Sequence, residues 1–278
     1  MSVDVEGFVE SNRESFSIDK KYIDGKRENE EVEKNMEAIF RLLNECDVKA
    51  TFFFLGRVAR ELPHLVKQAA GLGHEIASHS FEHRRIFGLN QQEFKEKLKT
   101  SKDFLESLTG GPVCGFRAPD FSITKKSLWA LDILKELGFV YDSSIYPIGL
   151  HDVYGIRDVP RGIHLLPNGL VEFPLSTLEF LGRRLPFGGG GYFRLYPIIV
   201  THRALLAQNR KKRPCMIYIH PYEVGPVVPR IVELSRLRQF RHYYNCGTGY
   251  DRLKKLLCRH RFCPAIEVLK KNNFWQEN

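Results

Sequence analysis

Short apolar runs alternate along the chain with stretches whose apolar residues recur every three to four positions. Ala50-Thr51-Phe52-Phe53-Phe54-Leu55 is continuous and ends at Gly56, the pattern of a strand buried on both faces of a parallel sheet. Residues 1–6, 74–78, 113–116, 139–141, 171–174 and 216–219 read as further strands. Between them, Val32, Met36, Ile39, Leu42 and Leu43 mark one helix, and residues 62–72, stopped by Gly73, a second. Phe94, Leu98, Phe104 and Leu108 mark a third, ended by Gly110-Gly111. Leu128, Leu131 and Leu134 mark a fourth, opened at 122–125 and closed by Gly138. Residues 7–27 are polar and are expected to form a loop. Residues 145–170, rich in Pro, Gly and His, are expected to form a long ordered loop, and Gly188 to Gly191 a flexible connection before a segment at 196–206. A basic tail has helical stretches near 229–240, 249–260 and 264–271, with no internal repeat and no domain linker.

Strands alternating with helices imply parallel βαβ units, in a barrel or an open doubly wound sheet. Polar residues follow almost every apolar strand: Asp4 and Glu6, His79, Arg117, Asp142 and His220. In a (β/α) barrel the loops after the strands converge on one face, where active sites sit. That convergence favours the barrel.

The 278 residues suffice for one large α/β domain, and 43% apolar with 27% charged residues is ordinary for a globular chain. A formal charge of +9 comes without any nucleic-acid motif, so nucleic-acid binding is not expected. A solvated basic face is the simplest account; attraction to an acidic glycan or an anionic membrane surface is the alternative. Six scattered cysteines without a CxxC pair suit a reducing compartment, which makes the cytoplasm the default location. No apolar run is long enough to cross a bilayer. The chain begins almost inside its first strand, which is also compatible with a start further upstream.

The chemistry centres on His79-Ser80-Phe81-Glu82-His83. Two imidazoles four residues apart can face one metal ion, although the spacing alone is weak and Ser80 separates it from the zincin HExxH. Asp4 and Glu6, two apart in an extended segment, point to one face. One can bind the metal while the other takes a proton from water. Arg117 can pair with and orient the base carboxylate. Pro119 would stiffen a turn that aims the backbone N–H of Asp120, or of its neighbour, at an oxyanion. His220 fits a general acid whose imidazolium is held by Asp142.

In this order Ser-Val-Asp-Val-Glu, His-Ser-Phe-Glu-His, Arg-Ala-Pro-Asp, Tyr-Asp-Ser-Ser and Ile-His-Pro resemble the five motifs of the NodB-homology polysaccharide deacetylases, carbohydrate esterase family four. The likeness is strong to about residue 145 and resumes at 215–222. It is closest to the branch from exopolysaccharide and lipopolysaccharide clusters, which has an extra C-terminal region. The resemblance implies a distorted (β/α) barrel with a catalytic unit at 1–225 and a helical extension at 226–278 packed on the same domain. It implies Asp4 as base, His79 and His83 as metal ligands, Arg117 orienting the base, His220 as acid and Asp142 tuning it. Most members carry adjacent aspartates; here Val5 and Glu6 follow Asp4, so the third ligand is placed at Glu6. The expected cofactor is one divalent ion, zinc first, with cobalt, nickel or iron as alternatives. The expected partner is an N-acetylated glycan or glycan-lipid precursor, hydrolysed in the cytoplasm or at the inner membrane face, with a homo-oligomer left open. A catalytically silent glycan-binding barrel and a deacylase of a small amide are the alternatives.

Overall fold

A computed structural model describes residues 1–16, 18–19, 22, 24–149, 154–231 and 234–276. Parts of the expected loops at 7–27 and 145–170, and of the stretch near 229–240, lie outside the described residues.

The strands are β1 (Ser2–Val5), β2 (Thr51–Phe54), β3 (Glu75–Ser78), β4 (Gly115–Phe116), β5 (Tyr141–Asp142), β6 (His164–Leu165), β7 (Val171–Glu172), β8 (Thr177–Phe180), β9 (Arg183–Pro186) and β10 (Tyr218–Ile219). Eight form one curled sheet in the order β10-β1-β2-β3-β4-β5-β7-β6, parallel throughout except for β6. A bridge from Leu175, just past β7, to Met216, just before β10, draws the two sides of the sheet together. The result is a curled, distorted half-barrel, the barrel alternative of the two that the strand–helix alternation left open and the one that the family resemblance implied.

Register explains which side chains enter the barrel. In β1 and β2, Val3 pairs with Phe52 and Val5 with Phe54; all four pack outward into the main core beneath the helices. Asp4 pairs with Phe53, which pairs with Ala77, and both belong to the cluster that fills the barrel interior with Tyr141, Val171 and Tyr218. Because strand side chains alternate, Ser2, Asp4 and Glu6 are delivered inward and upward.

The helices are α1 (Phe8–Phe16), α2 (Gly25–Glu45), α3 (Gly56–Glu61), α4 (Pro63–Gly71), α5 (Gln91–Thr109), α6 (Trp129–Glu136), α7 (Gly191–Leu195), α8 (Ile198–Arg210), α9 (Pro221–Val224), α10 (Arg236–Tyr243), α11 (Gly249–Leu257) and α12 (Ala265–Lys271). Asp24 caps α2 by accepting from the Lys26 and Arg27 amides. Leu253, Leu256 and Leu257 of α11 enter the main core. At the opposite end of the barrel from the strand C-termini, α12 accepts anchors from two strands: its Ala265 amide donates to Thr51 Oγ1 and its Ile266 amide to Glu75 Oε2.

Three expectations are corrected. The polar stretch from residue 7 begins as helix α1, because Phe8 and Val9 bury against Tyr222, Ile231 and Leu234 in a small separate cluster. The fourth helix starts at Trp129, since Ser127 Oγ donates to the Ser122 carbonyl and accepts from the Thr124 amide, holding a turn. The Gly188–Gly191 run is an ordered bridge onto β10: a Cβ on Gly189 would lie 1.9 Å from the Tyr218 carbonyl oxygen.

Candidate metal centre and acid–base groups

The strand C-termini meet in a cavity of about 420 Å³ whose lining includes Asp4, Glu6, His79, His83, Asp120 and His220. Glu6 follows β1, and its Oε2 lies 3.1 Å from His79 Nε2 and 3.2 Å from His83 Nε2. All three side chains are buried, and their ligand atoms fall within 4.8 Å of one another. They do not sit on one helical turn. The chain bends at Ser80, whose φ of 70° is left-handed and strained for a residue with a Cβ.

The donor set fits a cation. His79 Nδ1 donates to the Arg117 carbonyl at 2.8 Å, which leaves the Nε2 lone pair facing a carboxylate oxygen. Two acceptors that close need a positive centre between them. His83 Nδ1 is buried without a partner among the described residues. Burial alone would raise the Glu6 pKa, but the surrounding His83, His79 and His220 imidazoles outweigh it and bring it down to about 2. Glu6 is therefore a carboxylate, as a ligand must be. Burial opposes charge on His83, while Glu6 and Asp120 pull its pKa above the usual imidazole value.

Beside this cluster, Arg117 is fully buried and donates through one terminal nitrogen to Asp4 Oδ1 at 2.6 Å and to Ser2 Oγ at 2.7 Å. It also reaches the Ser143 carbonyl and hydroxyl and lies 4.1 Å from the Phe53 ring centre. Asp4 is thus fixed at the barrel axis. Past Arg117, Pro119 opens a single tight turn in which Asp120 and Phe121 both have φ near 50°. The Phe121 and Ser122 amides are bonded to Ala118 and Pro119, while no acceptor for the Asp120 N–H is found among the described residues. The Asp120 carboxylate turns away to Arg85 Nε at 2.7 Å.

The expected pairing of Asp142 with His220 is corrected. No hydrogen bond or ion pair joins Asp142 to His220 among the described residues. Asp142 instead accepts from the Ser144 hydroxyl at 2.6 Å and lies beside Glu172 across the β5–β7 register. The carboxylate on His220 Nδ1 is Glu223: Oε2 is 3.0 Å from Nδ1 and also accepts from the His220 amide, while Nε2 lies 3.3 Å from Glu6 Oε1. Pro221 starts α9 at once, so Glu223 folds back within a single turn. Arg194 donates to Glu223 Oε1 at 2.6 Å. Burial disfavours the ions, yet His220 and Arg194 bring Glu223 down to about 2, and Glu223 with Glu6 and Asp4 lifts His220 to about 9. The spacing His-Pro-Tyr-Glu could have revealed Glu223; Arg194 has no local signal.

The Asp142–Glu172 pair has its own consequence. Burial raises Asp142 to about 6 and, with the Asp142 charge, raises Glu172 well above the usual range. A single shared proton satisfies Glu172 Oε2, which has no other partner among the described residues. Both folded values are raised, so this contribution to stability is full below about pH 4 and is lost as pH rises through about 6 and beyond. Glu172→Gln keeps a donor toward Asp142 and removes one titrating group. Melting curves from pH 5 to 8.5 should fall less steeply for this variant than for wild type, with the variant more stable at the alkaline end. Parallel curves would contradict the shared proton.

A carboxylate and two imidazoles facing one point, flanked by an arginine-held carboxylate and a carboxylate-held imidazole at the C-terminal ends of barrel strands, form an arrangement that could hold a metal ion and carry out hydrolysis. Residues 18–141 match the family described as polysaccharide deacetylase, and residues 143–270 match a domain of unknown function, DUF3473. Over residues 18–141 the chain is thus similar to the polysaccharide deacetylases, the NodB-homology type of carbohydrate esterase family four, and over 143–270 to the DUF3473 region. A peptidoglycan-N-acetylglucosamine deacetylase of Bacillus cereus is 33% identical over 91 residues, 32% of this chain and 33% of that protein. A chitooligosaccharide deacetylase of Azorhizobium caulinodans is 35% identical over 83 residues, 30% of this chain and 40% of that protein. The matched segments thus span a third to two fifths of these relatives' lengths. A solved Mycobacterium smegmatis structure assigned to the polysaccharide deacetylases shares the fold with a TM-score of 0.65 at 18% identity, over 98% of this chain and 88% of that one. The site draws on both regions: His79, His83 and Arg117 fall in the first match and His220 and Glu223 in the second, while Asp4 and Glu6 precede both.

Proposed function

We propose that the protein removes an N-acetyl group from an amino sugar of a polysaccharide or glycan-lipid precursor, releasing acetate. The observation that carries this is the convergence of Glu6, His79 and His83 in one cavity with Asp4 and His220. Glu6, His79 and His83 would hold one divalent ion; two histidines and a carboxylate put zinc first, with cobalt, nickel or iron able to fit. When bound, it supplies Lewis-acid polarisation of the acetyl carbonyl and makes water more acidic.

The remaining steps belong to the chain. Asp4, oriented by Arg117, takes the proton of the attacking water. The Asp120 N–H, held in the strained turn after Pro119, donates to the oxygen that gains charge. Asp142 supports that turn indirectly: Ser144, bound to Asp142, accepts from the Ala118 amide at 2.8 Å. His220, kept as an imidazolium by Glu223, gives its proton to the leaving amine. Water and amide become acetate and a free amino sugar.

Residues 1–225 would then be the catalytic barrel and 226–278 an extension on the same domain. Six free cysteines support a reducing compartment, in the cytoplasm or at the inner face of its membrane. Acetate release from a panel of N-acetylated oligosaccharides tests the proposal. Wild type is expected to release acetate from at least one amino sugar. His220→Ala should keep its metal yet lose about 10²- to 10⁴-fold in kcat, and an analogue with a better leaving group should restore part of it. No acetate from any glycan, with acetate from a small amide, would move the substrate class; no acetate from either would favour a silent glycan-binding barrel.

A further inference from the structure

One wall of the cavity is built by α10, from the C-terminal part of the chain. Arg238 and His242, four residues apart on this helix, line the cavity. Tyr243, on another side, stacks on Phe8 at 5.6 Å and anchors the helix to the body of the protein. The outward side is apolar. Leu237 is 77% exposed, Phe240 56% and Tyr244, just past the helix, 40%. Positions i, i+3 and i+7 lie on one helical face. The Phe240 and Tyr244 rings meet at 4.9 Å, forming one contiguous patch. Arg236 and Arg238 are exposed at its flanks, on a chain of net charge +9.

We propose that α10 docks on an anionic lipid surface and so presents the cavity mouth to a membrane-borne substrate. An apolar stripe edged by arginines is the pattern of a helix lying in the bilayer interface. Leu237 and Phe240 enter the headgroup boundary while Arg236 and Arg238 meet lipid phosphates. A second copy of the chain fits less well, because an isologous contact would set these arginines against their own copies. Since Arg238 and His242 occupy the adjoining face, docking brings the cavity to the lipid plane. The lipid contact stands by itself; only the glycan carried on that lipid rests on the deacetylase proposal.

Sedimentation of the full chain with vesicles tests it. The protein is expected to partition onto vesicles containing phosphatidylglycerol, weakly onto pure phosphatidylcholine, and less at roughly 0.5 M salt, where screening shortens the reach of the arginines. The double variant Leu237→Ser/Phe240→Ser should lower partitioning about tenfold or more. Its melting temperature and its acetate release from a soluble substrate should stay at wild-type level, since neither side chain is buried or lines the cavity. Phe180→Ser/Leu181→Ser, in the equally exposed turn between β8 and β9, should retain binding. Absence of wild-type binding to anionic vesicles would overturn the proposal. So would equal binding by the α10 variant, a loss that follows the β8–β9 variant instead, or a dimer that the α10 variant dissociates without any vesicle binding. Failure of the deacetylase proposal would show separately, as no acetate from soluble sugars.

Discussion

Replacing Asp4 with Asn is expected to lower kcat by about 10²- to 10⁴-fold while leaving metal content unchanged. Asp4 stands within the cavity but apart from the point where Glu6, His79 and His83 converge, and its Oδ1 is committed to Arg117. Its other oxygen is the one available to accept a proton from water. Asparagine has nearly the same shape and still offers an oxygen to Arg117, but its amide does not accept that proton. The loss should therefore appear in kcat, with KM little changed. Elemental analysis of the same preparation completes the test. If Asp4→Asn lost the metal while Glu6→Gln kept it, the roles of the two carboxylates would be exchanged.

Arg117→Met is expected to destabilise the fold by about 3–5 kcal/mol, because it leaves a buried carboxylate without its partner. Arg117 has no solvent exposure, and it joins β1 to the segment after β5 through Asp4, Ser2 and Ser143. For a chain of this size the melting temperature should fall on the order of 10 °C. Adding Asp4→Asn should recover part of the loss, since the orphaned charge is then gone. Additive losses in the double variant would show that Arg117 acts by packing on Phe53 rather than by pairing with Asp4.

The barrel was legible because its strands are short, apolar and each followed by a polar residue. Phe52, Phe53 and Phe54 announce a strand buried on both faces, and the alternation of Val3, Asp4 and Val5 announces which side chains enter the barrel. The helix α1 was hidden because its apolar residues placed in the core are only Phe8 and Val9 at its start, and they pack on partners such as Tyr222, Ile231 and Leu234, more than 200 residues away. The hairpin of β8 and β9 was hidden because it is largely exposed and Gly182 alone marks its turn. Within the site, the sequence brought out the residues that touch the cavity and the pairing of Arg117 with Asp4, but not the groups that hold His220. Asp142 and His220 each end a strand, which made them look like partners; the folded chain instead places Asp142 with Ser144 and Glu172 and gives His220 a carboxylate from its own next turn. Arg194 reaches Glu223 from a segment with no motif, a contact only the folded chain reveals.

The most direct test of the metal-centred account is the divalent metal content of purified wild type beside His79→Ala/His83→Ala, each loaded with zinc and dialysed. Wild type is expected to retain about one ion per chain, and the double variant, folded by its circular dichroism, to retain almost none. Equal metal content in the two proteins would contradict the site.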